Sequence, residues 1–338
     1  MIGKTIIGKA PTRIDLAGGT LDIWPLNLMF SSPVTVNLAI DIMAKVKIQT
    51  RKDKKIVIQS VDQKELVKFN SAKSMHHKHK LSLLSRIVEH FLEGTNSRGL
   101  KIITDSEAPA GAGIAGSSAL NIAMCHAMAN ITNVHLSKSY LINIAKDIEA
   151  ALLGIPTGLQ DYGAAVYGSG ASYTFPPGGM KRKRIPAKAV NWLSSNLLLF
   201  YSGTPRLSGV NNWDLFKNII EKDKKTICCF KEIAKHSFLA SETLMAGNYS
   251  AFTKAVNDEW TVRHELFKNI STKKIDHAMK KAFSLGALAA RICGAGGGGC
   301  FILIAPPQIQ SDLIKAVANV GCKHLSFNPA QHGVHSYN

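Results

Sequence analysis

Three short stretches of this 338-residue chain carry residue types suited to handling a phosphate and a hydroxyl group. Gly111-Ala112-Gly113-Ile114-Ala115-Gly116 runs directly into Ser117-Ser118 and then into a tract of small apolar residues. Glycines let backbone amides approach an anion closely, and a helix opening at Ser117 adds the positive end of its dipole. Two hydroxyls at that point are available to phosphate or to magnesium. Arg13 and Asp22 bracket a glycine turn, Gly18-Gly19, and Asp161 closes the segment Ile155-Pro-Thr-Gly-Leu-Gln-Asp161. Asp161 thereby sets a carboxylate at the start of a small-residue helix. Taken singly, each feature also has a plainer reading: a tight helix entry, a surface arginine, a helix N-cap.

The glycine loop matches G-x-G-x-x-G, but not in the context of a dinucleotide site. Asp105-Ser-Glu-Ala-Pro-Ala110 separates it from the preceding strand, and no acidic residue follows Gly116 before Asp147. A ribose-binding carboxylate belongs about 20 residues on. The P-loop pattern fails as well, since Ser-Ser stands where Lys-Ser/Thr is required, and the H-R-D and D-F-G signatures of protein kinases are missing.

The elements that must position these residues follow from periodicity. Residues 4–10 and 33–49 read as strands, as do Ile56–Val61 and Gly99–Thr104. His79–Leu92 has helical spacing, Ser117–Ala129 a buried-helix composition, and Ser137–Leu153 a serine cap and a Gly154 stop. Further on, Asn196–Tyr201, Ala287–Ile292 and Cys300–Ile304 read as strands; Val210–Ala246 and Ile275–Leu285 read as helical. Glycines, prolines and a basic run over 170–190 mark a domain boundary, dividing the chain into residues 1–180 and 181–338.

Composition narrows the classes. Hydrophobic residues at 46% support a real core, and no window approaches the roughly 18 apolar residues of a membrane span. The N-terminus alternates like a strand and lacks a signal-peptide core, so the expected setting is the cytoplasm. The six cysteines include no C-x-x-C pair, which excludes zinc spacing and predicts reduced, buried thiols. A net charge of +18 attracts anions generally. The densest basic runs, 51–55 and 181–184, lack interleaved aromatics and read as solvated rather than as nucleic-acid surfaces.

Together the motifs resemble those of the GHMP kinases (galacto-, homoserine, mevalonate and phosphomevalonate kinases). The A-P-x-R/K-x-x-L-x-G pattern stands at Ala10, Pro11, Arg13, Leu16 and Gly18. P-x-G-x-G-x-x-G-S-S runs from Pro109 to Ser118, and G-A-G-G-G-G begins at Gly294. The resemblance spans roughly residues 8–305 in the family's order. The loop length, L-A-G-G and G-x-Q-D resemble the branch of heptose 7-phosphate kinases and fucokinase kinase domains, with Gly18-Gly19-Thr20 replacing the G-E-H of galactokinases. The branch's G-G-G-T-D is altered here to Gly18-Gly-Thr-Leu-Asp22.

That resemblance implies an α+β fold of two domains, the first like ribosomal protein S5 domain 2 and the second ferredoxin-like. It implies transfer of the γ-phosphate of ATP, with Mg2+, to a hydroxyl of a sugar or sugar phosphate, the anomeric one being favoured. Gly111 through Ser118 would cradle the triphosphate. Ser118 (or Ser117) and Glu149 would hold the metal, Asp161 would be the base, and Arg13 would stabilise charge. Asp22, Gly18 and Gly19 would meet the acceptor, joined by Arg206 and Arg263. Gly294, Gly296 and Gly297 would support the phosphate loop, and Ser74–Leu84 would flank the adenine. The expected assembly is a monomer or homodimer. Rival readings are a non-catalytic regulator, against which the intact Arg13, Ser118, Glu149 and Asp161 argue, a decarboxylase of the mevalonate route, and a nucleic-acid binder.

Overall fold

A computed structural model describes residues 3–31, 33–94, 99–205, 210–267, 269–294 and 296–337. The first part runs β1 (Thr5–Ala17), α1 (Leu26–Met29), β2 (Val34–Thr50), β3 (Ile56–Ser60), β4 (Glu65–Phe69), α2 (Ser82–Leu92) and β5 (Leu100–Ser106). It continues with α3 (Gly116–Thr132), α4 (Lys138–Leu153), α5 (Gln160–Tyr167), β6 (Gly170–Thr174) and β7 (Lys181–Arg184). Then come α6 (Ala187–Asn196), β8 (Leu197–Tyr201), α7 (Val210–Ile220), α8 (Lys224–Met245), α9 (Tyr249–Leu266) and α10 (Lys273–Ser284). β9 (Ala289–Ile292), β10 (Cys300–Ile304), α11 (Pro307–Ala318), β11 (Lys323–Leu325) and β12 (His335–Tyr337) complete it.

Two sheets organise the chain. The larger has the order β12-β1-β2-β5-β3-β4, with β6 and β7 joined to the first half of β2; the smaller is β11-β8-β10-β9. All pairings are antiparallel except β3 with β5. α2 to α5 pack one face of the larger sheet, sharing a core of Ile6, Val46, Ile87, Met124, Leu141 and Tyr162. α3 is apolar nearly all round because it lies inside this layer, with Ile122, Met124 and Cys125 fully buried. α4 begins as its sequence predicts: Ser137 Oγ accepts from the Tyr140 N–H, and Gly154 ends it at φ +66°.

β1 runs seven residues beyond the expected 4–10. Pro11 has no N–H to give the ladder, and the register with β2 shifts between Pro11 and Thr12 and again between Asp15 and Ala17. Such irregularities re-aim side chains. Here they bracket Arg13 and Asp15, which lie two apart and so share a strand face. β4 and α6 have no counterpart in the periodicity reading. The first is a short edge strand with exposed alternate residues, the second a ten-residue helix straight after the basic run. That run is itself β7, an exposed edge strand whose lysines discourage further pairing. The expected division at residue 180 falls between β6 and β7, which are paired in one sheet, and β12 returns to that sheet from the far end of the chain. All six cysteines are free; Cys125, Cys293, Cys300 and Cys322 are buried as expected, whereas Cys228 is exposed on α8. Among the described residues no helix is long and apolar enough to cross a membrane.

Candidate active site

The loop between β5 and α3 is pinned by its carbonyls. Three successive carbonyl oxygens accept hydrogen bonds: Ala112 from the Cys300 N–H (2.7 Å), Gly113 from Arg13 Nη1 (2.8 Å) and Ile114 from the Arg13 N–H (3.0 Å). Ala115 then adopts φ +62°, uncommon for an alanine, and α3 starts with no side-chain cap and no acidic residue in its first turn. The first N–H groups of a helix have no intrahelical partner, so this end is built to receive an anion. It opens on a cavity of about 360 Å³ lined by Gly111, Gly113, Ala115, Gly116 and Ser117. Leu81, Leu83 and Leu84 form the apolar wall of the same cavity, within the stretch expected to flank an adenine.

Arg13 is buried and grips Asp161, its Nε at 2.8 Å and its Nη2 at 2.7 Å, both on Oδ1. The second carboxylate oxygen is left for a ligand. Burial alone would lower the Arg13 pKa; the carboxylates of Asp161 and Asp15 outweigh it and raise it, so the guanidinium stays charged. Asp161 sits in the first turn of α5.

On the other side of Asp161 lies a second cavity, formed by Asp15, Gly19, Thr20, Asp22, Gln160 and Gly294. Asp22 is buried, and its Oδ2 accepts from the Gln160 N–H at 2.9 Å. Burial, then the negative charge of Asp161, pushes its pKa up to about 6. Gly158 has to be glycine for this: a Cβ there would stand 2.1 Å from Asp22 Oδ2. Asp15 is also buried, with Oδ2 held by Arg291 Nη2 at 3.2 Å and Oδ1 without a hydrogen-bond partner among the described residues. Asp161 lines both cavities.

Glu149 on α4 and Ser117 meet at the mouth of the loop cavity, Ser117 Oγ donating to Glu149 Oε1 at 3.1 Å. Tyr162 donates to Glu149 Oε2, and burial, together with the Glu149 charge, raises the Tyr162 pKa well above its usual value, keeping it a donor. No group of three or more His, Cys, Asp or Glu suited to a metal occurs among the described residues. Mg2+ needs none here. It takes one or two hard protein oxygens and completes its shell with water and phosphate, and a hydroxyl beside a carboxylate at the phosphate loop fits that demand.

Several expected residues therefore converge and some do not. Arg13, Asp161, Asp22, Gly19, Glu149 and the loop form one continuous site. Ser118 is buried and off the cavity wall; Ser117 takes the position expected of it. Arg263 lies behind the glycine turn rather than on the wall of the second cavity, bound to Glu259 and to the Gly19 carbonyl, and Gly18 gives its N–H to Glu259. Arg206 lies outside the described residues. Gly294 lines the acceptor cavity, and Gly296 and Gly297 pack against Ile270. Support of the loop falls instead to Gly299, where a Cβ would meet the Gly111 and Ala112 carbonyls at 2.9 and 2.7 Å. Asp15 is not among the residues expected from the sequence, although its two-residue offset from Arg13 on a strand is a usable signal. Tyr162 and Gly158 carried none beyond their nearness to Asp161.

An uncapped helix end suited to an anion, joined through one carboxylate to a polar cavity, is a layout that suits a small-molecule phosphotransferase. Models of the GHMP kinases N terminal domain and the GHMP kinases C terminal domain match residues 82–169 and 240–321. The chain belongs to the GHMP kinases. It is 26% identical to a D-glycero-alpha-D-manno-heptose 7-phosphate kinase of Campylobacter jejuni over 99% of both chains. The structure of a D-glycero-D-manno-heptose 1-phosphate kinase from Bacteroides thetaiotaomicron superposes with a TM-score of 0.80 at 20% identity, covering 98% of this chain and 99% of that one. Lactococcus lactis galactokinase complexed with galactose gives 0.77 at 18% identity, over 99% and 95% of the two chains. These structures share the two-domain fold of the family.

Proposed function

We propose that this protein transfers the γ-phosphate of ATP to a hydroxyl of a small sugar or sugar phosphate, with the anomeric hydroxyl of a heptose 7-phosphate or a fucose-like sugar as the favoured acceptor. The observation that carries the reading is that Asp161 lines both cavities, so one carboxylate faces the hydroxyl and the transferring phosphate. The acceptor cavity supports a neutral polyol. Among the described residues its wall holds three carboxylates, Asp15, Asp22 and Asp161, and one arginine, Arg13, which is already paired. Hydroxyl groups donate to such a wall, whereas an anionic group would be repelled there, so a phosphate carried by the acceptor would lie outside this cavity.

In this mechanism the sugar oxygen attacks the γ-phosphorus, the bond to ADP breaks, and the hydroxyl proton passes to Asp161 Oδ2. Arg13 holds Asp161 in place and faces the charge that builds on the transferring group. The α3 N-terminus receives the phosphates. Ser117 and Glu149 would hold Mg2+, which neutralises phosphate charge when bound. ATP as donor and the free thiols suit a cytoplasmic setting.

Phosphorus NMR of the protein with Mg-ATP tests this against D-glycero-D-manno-heptose 7-phosphate, fucose, galactose, mannose and mevalonate. A new sugar phosphate resonance that vanishes with Asp161→Asn is the expected result. Turnover of mevalonate alone would overturn the sugar assignment.

A further inference from the structure

Helix α9 reaches the acceptor cavity from behind. Glu259 is wholly buried, and its Oε1 accepts from the Gly18 N–H at 3.1 Å and from Arg263 Nη2 at 2.7 Å. Arg263, one helical turn on, extends the grip to the following residues: Nη2 donates to the Gly19 carbonyl at 2.6 Å and Nη1 to Thr20 Oγ1 at 3.3 Å. Arg291 on β9 adds a second pair of contacts, with Nη1 3.1 Å from Glu259 Oε2 and Nη2 3.2 Å from Asp15 Oδ2. Two arginines and two acids thus form a neutral, buried cluster. Its glutamate and both arginines lie off the acceptor cavity wall, which the clasped turn supplies through Gly19, Thr20 and Asp22.

The turn needs such a clasp. Gly18 and Thr20 both have positive φ, +81° and +82°, and two adjacent glycines leave the free segment many conformations. Among the described residues the turn's short-range main-chain closures are Leu21 N–H to the Gly18 carbonyl at 3.0 Å and Ile23 N–H to the Thr20 carbonyl at 3.3 Å. Buried ion pairs are a weak source of stability compared with apolar packing, but they select one geometry, because each charge left unpaired is heavily penalised. Lysine cannot imitate the fork that joins Glu259, Gly19 and Thr20.

We propose that Glu259 and Arg263 are positioning residues that fix the Gly18–Asp22 turn, so that α9 sets affinity for the acceptor without influencing the nucleotide. The proposal rests on the acceptor cavity assigned above. In the full chain, Arg263→Lys is expected to raise the KM of the best acceptor about 10–100-fold, the scale of lost charge-assisted hydrogen bonds. The kcat should change little, and the dissociation constant of a fluorescent ATP analogue should stay at its wild-type value. Glu259→Gln keeps an oxygen for the Gly18 N–H and should show a smaller rise. Parallel loss of nucleotide and acceptor binding, or no change in a folded Arg263→Lys protein, overturns the proposal.

If the lysine variant does not fold, amide exchange in the wild type decides. The Gly18 amide should exchange as slowly as the interior of α9 with no substrate present; exchange at the rate of an open loop refutes the clasp. This measurement needs no acceptor. A protein that phosphorylates nothing in the panel would therefore sink the functional reading while leaving the clasp to stand or fall separately.

Discussion

Asp22 Oδ2 accepts the backbone N–H of Gln160, the residue immediately before Asp161, at 2.9 Å. The acceptor-side carboxylate and the proposed base are therefore held to each other through one peptide unit, and the charge of the second helps keep a proton on the first. Burial and Asp161 move the Asp22 pKa from 3.8 to about 6, so the folded protein binds this proton more tightly than the unfolded chain. The contribution is stabilising below the unfolded value and is lost as pH rises through about 6. Asp22→Asn should remove that slope, gaining up to about 3 kcal/mol over the wild type between pH 5 and 8, given roughly 1.4 kcal/mol per pKa unit. Calorimetric melting at a series of pH values measures it; a variant with the wild-type slope would contradict the assignment.

Asp161→Asn should lower kcat by about 10²–10⁴-fold, the usual scale for a lost general base. Nucleotide affinity should persist, since the cradle is made by α3 and the loop. A coupled ADP-release assay together with equilibrium nucleotide binding separates the two effects. Undiminished turnover would exclude Asp161 as base.

The serines should behave differently. Ser117→Ala removes the hydroxyl that faces Glu149 and is expected to weaken Mg-ATP binding about tenfold, as for one lost hydrogen bond to a charged partner. Ser118→Ala, at a buried position off the cavity wall, should act mainly on stability. Titrating Mg2+ at fixed ATP for both variants shows which hydroxyl serves the metal, and the reverse order would restore Ser118 to that role.

Gly158→Ala introduces a Cβ 2.1 Å from Asp22 Oδ2. The carboxylate must move, so acceptor KM should rise while nucleotide binding is kept, with an overpacking penalty of about 1–3 kcal/mol. Steady-state kinetics against both substrates reveals the asymmetry, and an unchanged acceptor KM would mean that Asp22 makes no contact with the sugar.

Much of this site is legible in the sequence because its chemistry is local. The glycine loop and the start of α3 are contiguous, so their positions follow from composition alone. Asp161 was readable for the same reason, at the head of a small-residue helix. What could not be read depends on encounters between distant segments. Whether Ser117 or Ser118 faces Glu149 is settled by the rotation of α3 against α4, which no local pattern reports. Arg263 looks from its motif like a ligand for substrate, yet the fold turns it toward the Gly19 carbonyl and Glu259. The strand expected over residues 4–10 runs on through Pro11 to Ala17, with register shifts that no local pattern reports.

The two cavities share little: Asp161 lines both, and Arg13 binds it and the phosphate loop. The remainder of the first cavity comes from the β3–β4 turn, the start of α2, the β5–α3 loop and the first turns of α3, and the remainder of the second from Asp15 in β1, the turn beyond it, Gly158, Gln160 and Gly294. The site is consequently modular. Under the proposed function, a change of sugar would require rewriting short stretches, chiefly around 18–22 and 155–160, while the residues proposed to hold the nucleotide stay intact. One scaffold can thus be retuned to new acceptors without relearning how to use its donor.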